Sequence, residues 1–175
     1  MYKIQEIDIP LPNLSANSSK ISETKSVQPG IERYLKGLGY DVHKEARAFH
    51  ILHLHYALNQ RVDFLAFSGQ DAHIIECKGS DLRLAQVFPA ILQITLYMRL
   101  YKMLQVIPNP QLVLDHELDP SLVRKGYLYG KLAVPTTALN DRKIRRALDQ
   151  VYQSLAMTNL LEPNIEIWAI NPKRH

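Results

Sequence analysis

Asp63, Glu76 and Lys78 are the residues whose types and spacing could do chemistry together. They lie on two apolar, strand-compatible runs, residues 61–67 and 72–78, separated by Ser68-Gly69-Gln70-Asp71. That composition turns a chain back on itself. If Phe67 faces Ala72 across the loop, counting outward along both strands puts Asp63 opposite Glu76. Directly opposed side chains have Cβ atoms about 5 Å apart, and the strand period of two returns Lys78 to the face of Glu76. Two carboxylates and an ammonium therefore converge.

Such a pair is costly unless something uses it. Like charges opposed across a sheet destabilise it, and burial adds desolvation that drives a carboxylate toward its neutral form. A divalent cation relieves both penalties. Mg²⁺, for which Mn²⁺ can substitute, takes oxygen ligands and keeps several waters while engaging substrate phosphate. Lys78 is then placed to act on a nucleophilic water or on charge developing at phosphorus. Taken alone, a Glu-x-Lys triplet is more simply a solvated ion pair. Here Glu76 follows Ile74-Ile75 and precedes Cys77, a run that reads as buried on both faces, where charges are rarely placed without a use.

Two helices must position further candidates. One begins near Gln28-Pro29, with proline suited to a first turn; Ile31, Tyr34, Leu35 and Leu38 recur at helical spacing, and Glu32 lies beside that stripe. An ordinary surface acid is the competing reading of Glu32. The other spans residues 82–103, where Gln86, Gln93, Tyr97 and Tyr101 fall near one face of an otherwise oily helix. Such a seam can hydrogen-bond a carboxylate, a metal-bound water or a phosphate without adding charge, or can simply satisfy itself within a core-facing layer. Pro89 is expected to kink this helix or divide it, with residues 81–88 as a short first piece.

At these residues the sequence resembles the PD-(D/E)XK nuclease superfamily, which has the restriction-endonuclease-like fold. Asp63 looks like the family's first acid, Glu76 and Lys78 like its E-x-K pair, and Glu32 like the helix-borne acid that supports a metal-bound water. Gln93-Ile94-Thr95-Leu96-Tyr97 is similar to the Q-x-x-x-Y motif of the RecB-like and lambda-exonuclease branch. The proline that names the motif is absent, since Val62 precedes Asp63. The resemblance covers about residues 28 to 101 and implies DNA cleavage with Mg²⁺, held by Asp63, Glu76 and Glu32, with Lys78, Gln93 and Tyr97 completing the catalytic set.

Composition is compatible with that. The chain has 175 residues, 46% of them apolar, which suits one domain with a substantial core. Its formal charge of +4 permits a polyanionic partner. Lys36, Lys44, Arg47, Arg61, Arg83, Arg99 and Lys102 are scattered around the proposed site, while Arg142-Lys143 and Arg145-Arg146 crowd the start of a late helix, where they oppose its dipole. The lone cysteine, Cys77, excludes a disulfide, a four-cysteine cluster and a structural cysteine-type zinc within one chain. Neither a membrane-length apolar stretch nor a signal-peptide pattern is evident, so an intracellular, cytoplasmic protein is expected. Without a Gly-rich phosphate loop, a motor activity would have to come from another protein such as a helicase or recombination partner.

The expected architecture is a single three-layer α/β domain with a mixed central sheet and helices on both faces, in which the E-x-K strand is not an exposed edge. Residues 1–27 read as a flexible or extended arm, rich in serine and asparagine over 13–26, and residues 28–175 as the domain. Strands are expected at 42–45, 49–58, 111–115, 131–134 and 165–170, and a helix at 141–157 capped by Asn140 or Asp141. His50, His53 and His55 lie on the second of these strands, away from the carboxylates, and read as polar-face residues more than as a zinc site. The functional expectation is a metal-dependent deoxyribonuclease, acting as a homodimeric endonuclease on duplex or branched DNA. An exonuclease or single-strand nuclease of the same fold is the first alternative, and a catalytically silent nucleic-acid-binding or assembly subunit the second.

Overall fold

The structure is a computed structural model and describes residues 2–14, 20–44, 62–106, 122–162 and 164–172. Along the chain come β1 (Lys3–Ile9), a π-helical turn (Glu23–Val27), α1 (Gln28–Gly37), β2 (Asp41–Lys44), β3 (Phe64–Ser68), β4 (Asp71–Cys77), α2 (Leu84–Val106), β5 (Leu128–Pro135), α3 (Thr136–Leu139), α4 (Arg142–Met157) and β6 (Ile165–Pro172). The strands form one mixed sheet in the order β1-β6-β5-β4-β3-β2. β1, β6, β5 and β4 run parallel, and β3 and β2 complete the sheet with antiparallel pairings.

The hairpin takes the register read from the sequence: Phe67 faces Ala72 and Phe64 faces Ile75. Ser68 and Asp71 also pair, tightening the turn to Gly69-Gln70, with Gly69 at a φ of 60°. A primed two-residue turn needs that positive φ, which glycine adopts without a Cβ penalty. β4 lies inside the sheet, and residues 72–77 are all buried, as expected of a strand apolar on both faces.

Strand alternation sorts the core into two layers. Leu65, Phe67, Ala72, Ile74, Leu132 and Val134 face α2 and α4, while Phe64, Ala66, Ile75, Cys77 and Ala133 face α1 and the π-helical turn. α2 presses close to the sheet at Gly130, where an added Cβ would stand 2.5 Å from Ile94 Cγ2 and 2.6 Å from Met98 Sδ.

Several expectations change. The described parts of residues 1–27, expected as a flexible or extended arm, pack into the domain: β1 pairs along its whole length with β6, and Ile7, Ile9, Leu11, Ile21 and Val27 enter the core. Only Ile7 and Ile9 of β1 are buried, so its charged alternation conceals an edge strand. α2 is one helix through Pro89, not two pieces. Pro89 is exposed and near the helix start, so it forfeits little more than one backbone bond, while the buried residues from Val87 to Leu104 hold the rest on the sheet. The helix expected at 141–157 is α4, with Asp141 as its cap: the carboxylate accepts from the Lys143 N–H at 2.8 Å. The strands expected at 49–58 and 111–115, and His50, His53 and His55 with them, lie outside the described residues, as do Arg47 and Arg61. Among the described residues no helix is long and apolar enough to cross a membrane.

Candidate active site

Because β3 is antiparallel to β4, its first residues lie beside the last residues of β4. Asp63 immediately precedes β3, and there its side chain replaces the backbone ladder: Oδ2 accepts from the Cys77 N–H at 2.7 Å. Oδ1 accepts from Gln28 Nε2 at 2.8 Å. Both carboxylate oxygens are thus fixed, one by the sheet and one by the first residue of α1.

Glu76 is 4% exposed. Its Oε1 accepts from Lys78 Nζ at 2.7 Å, and its Oε2 accepts from Gln93 Nε2 at 3.3 Å. Lys78 stays tied to the sheet through its N–H, which donates to the Ala133 carbonyl at 2.9 Å. Its ammonium also lies 3.7 Å from Glu23 Oε2 in the π-helical turn. Gln93 and Tyr97 share a helix face at a spacing of four residues, and the Gln93 amide lies beside the buried Tyr97 hydroxyl. Asp63, Glu76, Lys78, Gln93 and Tyr97 are therefore brought together where the two core layers meet at the sheet end.

Burial, reinforced by the charge of Asp63, pushes the Glu76 carboxyl up to about 7 against the pull of Lys78. Burial also raises Glu23, again against Lys78. Lys78 itself is drawn down by burial but raised on balance, chiefly by the Glu76 carboxylate, a gain that exists only while Glu76 is ionised. Three carboxylates surround one ammonium, and when all are charged the cluster carries an excess of two negative charges.

Glu32 is not among them. Its carboxylate is paired with Lys36 at 2.7 Å, one turn along α1, and the charges that dominate Glu76 are Asp63, Lys78 and Glu23. The helix-borne acid beside the site is Glu23, nine residues earlier. The sequence signal for it was faint: Ser22-Glu23 opens a helical turn between the buried Ile21 and Val27, inside a stretch whose serines suggested a tail. Gln28, expected only to mark a helix start, is the partner of Asp63. Gln86 leaves the seam altogether, since its side chain accepts from the Arg83 N–H at 2.8 Å and closes the start of α2 in the manner of a capping box. Tyr101 is structural too, donating to the Leu122 carbonyl and accepting from the Arg124 N–H.

The apposition of Glu23 and Lys78 depends on Gly79. The Ile21 N–H donates to Ser80 Oγ at 2.7 Å and the Ser80 N–H to the Ile21 carbonyl at 2.9 Å, clamping the loop after β4 to the chain before the π-helical turn. A Cβ on Gly79 would stand 2.7 Å from the Ile21 carbonyl oxygen and 3.0 Å from the Glu23 nitrogen. Both are backbone atoms and cannot swing aside. Gly79→Ala is expected to destabilise the fold by about 1–3 kcal/mol and to move Glu23 away from Lys78. Urea denaturation checks the first effect, and an unchanged midpoint would show that the clamp is loose.

The residues suit a hard divalent cation. Asp63, Glu76 and Glu23 offer only oxygen, and the excess negative charge, with the proton affinity of Glu76 raised by burial, is what a divalent ion would relieve. Among the described residues no three His, Cys, Asp or Glu side chains already enclose one point. Mg²⁺ does not require that, because it is commonly held by one or two carboxylates plus water and substrate phosphate. No family model matches the chain, and no curated protein or solved structure matches it.

Proposed function

We propose that this protein is a divalent-metal-dependent nuclease of the PD-(D/E)XK kind that hydrolyses phosphodiester bonds in DNA. The observation that carries this reading is the meeting of Asp63 and Glu76 at one end of a hairpin with the Lys78 ammonium 2.7 Å from Glu76. A carboxylate pair with one member buried, beside a lysine, is an expensive arrangement for a sheet to keep, and its donors match those that engage Mg²⁺ and phosphate.

Asp63 and Glu76 would hold the cation, and Glu23 takes the supporting position expected of Glu32. When bound, the cation supplies Lewis-acid polarisation of the phosphate and a more acidic water. The chain's own residues do the rest. Gln28 and the Cys77 N–H fix the orientation of Asp63, and Gln93 fixes that of Glu76. Lys78 keeps a positive charge beside the position where negative charge grows on the phosphate oxygens as water adds and the P–O bond breaks. An endonuclease working as a homodimer remains the preferred mode, because no feature of the site selects a DNA end.

Linear, closed-circular, branched and single-stranded DNA, incubated with Mg²⁺ or Mn²⁺, test the reading. Glu76→Gln should abolish cleavage. Glu23→Gln should slow it by about 10–100-fold, the usual effect of losing a supporting group, whereas Glu32→Gln should leave the rate within about twofold, as for an exposed ion pair. Cleavage confined to free ends would replace the endonuclease with an exonuclease. Salt-dependent binding without turnover of any substrate would replace the enzyme with a silent binding subunit.

A further inference from the structure

The candidate site lies between two basic flanks. Lys44 ends β2, which runs parallel to β4, so it stands at the same end of the sheet as Glu76. On the other side, β5 ends at Pro135 and passes through α3, which packs on β5 and β6, into the first turns of α4. There Arg142, Lys143 and Arg146 are exposed, and Lys25 and Arg83 are exposed on the π-helical turn and just before α2, closer to the centre. Among the described residues none of these six side chains is in an ion pair. Asp141 is spent on capping the Lys143 N–H, and Asp8 at the end of β1 pairs with none of them.

The other end of the sheet is arranged differently. Lys3 is held by Glu166, Arg99 and Lys102 by Glu162, and Arg124 by Asp41, with Lys125 the exposed exception. Among the described residues, cations remote from the acidic cluster are mostly ion-paired, whereas these six beside it are not, although Lys20 next to them pairs with Asp81. Placing three of them in the first turns of α4, against its dipole, is unfavourable unless an anion covers them.

We infer that this rim, with Arg142, Lys143 and Arg146 as its densest part, binds the phosphate backbone of duplex DNA lying across the strand ends. The choice of partner rests on the nucleolytic reading; the surface does not. β2 and β6 are each two strands from β4, so at about 4.8 Å per strand the flanks reach about 10 Å to either side of the acidic cluster. A duplex carries one charge per about 1.7 Å of axis, both strands counted, so a segment spanning both flanks carries roughly a dozen phosphates, of which those on the near side face the rim and those at its middle lie over the carboxylates.

The test is anisotropy titration of a labelled duplex with the full chain, without divalent metal, over roughly 50–200 mM salt. Wild type is compared with a folded Arg142→Gln/Lys143→Gln/Arg146→Gln variant and with Lys125→Gln as a control. The triple variant should lose at least tenfold in affinity, and the slope of log K against log salt should shrink by about 2–3, because each phosphate that is no longer neutralised keeps its counterion. Lys125→Gln should change neither. An unchanged slope and affinity in the triple variant, no binding by wild type, or tighter binding to duplex RNA than to DNA would each overturn the inference. The two readings fail separately: binding that depends on α4 without any cleavage leaves the rim standing and removes the enzyme, while cleavage that needs Glu76 but not α4 does the opposite.

Discussion

Lys78→Ala should cut single-turnover DNA cleavage at saturating Mn²⁺ by about 10²–10³-fold, the typical result of removing one preorganised group from developing charge, while divalent-cation affinity holds or rises. The sign of the second effect follows from the site. The ammonium 2.7 Å from Glu76 is the cation's direct competitor for that carboxylate, so its loss leaves Asp63, Glu76 and Glu23 with no positive charge among their principal partners. Asp63→Asn should show the converse pattern. It removes a ligand charge, yet the amide oxygen can still accept from the Cys77 N–H or the Gln28 amide, so the hairpin end keeps its shape and the main loss is in cation affinity. Gln93→Ala should leave affinity nearly intact and slow turnover by loosening Glu76. Calorimetric titration of Mn²⁺ into each folded variant, paired with single-turnover rates, separates the roles. Undiminished affinity in Asp63→Asn would show that Asp63 is no ligand.

Stability without metal should reveal the buried carboxylate directly. Glu76 has its folded-state value pushed up to about 7, from 4.5, by burial and by Asp63. The folded state then binds more protons than the unfolded state between those values, so this contribution is fully present below 4.5 and is lost as pH rises to about 7. Its full size is about 3 kcal/mol. His73 runs the other way: burial lowers it from 6.5 to about 4, so its contribution is present above 6.5 and lost as pH falls through 4. The two windows overlap almost completely, so these two contributions largely offset each other in the wild type. Glu76→Gln separates the terms. Near pH 4.5 it should match wild type, and at about pH 8 it should be the more stable protein by up to about 3 kcal/mol, while having no nuclease activity. Adding Mn²⁺ at that pH should restore the wild type's advantage by mass action on the folded state. Urea denaturation at several pH values measures the difference, and equal stability of the two proteins at high pH would mean that Glu76 is not desolvated as its burial implies.

What the sequence by itself determined is whatever local periodicity and turn chemistry fix. Gly69 supplied the positive φ that the hairpin needs, and the apolar runs on either side set its register, because a slip of one residue would turn every buried side chain outward. From that register the meeting of Asp63, Glu76 and Lys78 follows. The spacing of four residues between Gln93 and Tyr97 likewise put both on one helix face, with Glu76 in reach of the first. β1 was harder to read, because an edge strand with only Ile7 and Ile9 buried carries too little apolar signal against its charged residues.

Only the tertiary structure decided which acid and which amide approach the hairpin from across the chain. Glu32 and Glu23 are both helical acids beside apolar residues, and no local rule ranks them. The choice was made by the Ile21–Ser80 hydrogen bonds and by the space that Gly79 leaves for the backbone of residues 21 and 23, contacts between segments nearly sixty residues apart. The same holds for Gln28, whose bond to Asp63 spans thirty-five positions, and for Gln86, which found a nearer partner in the Arg83 N–H. Side chains with several acceptable partners take the one that packing brings closest, and packing is a property of the whole fold.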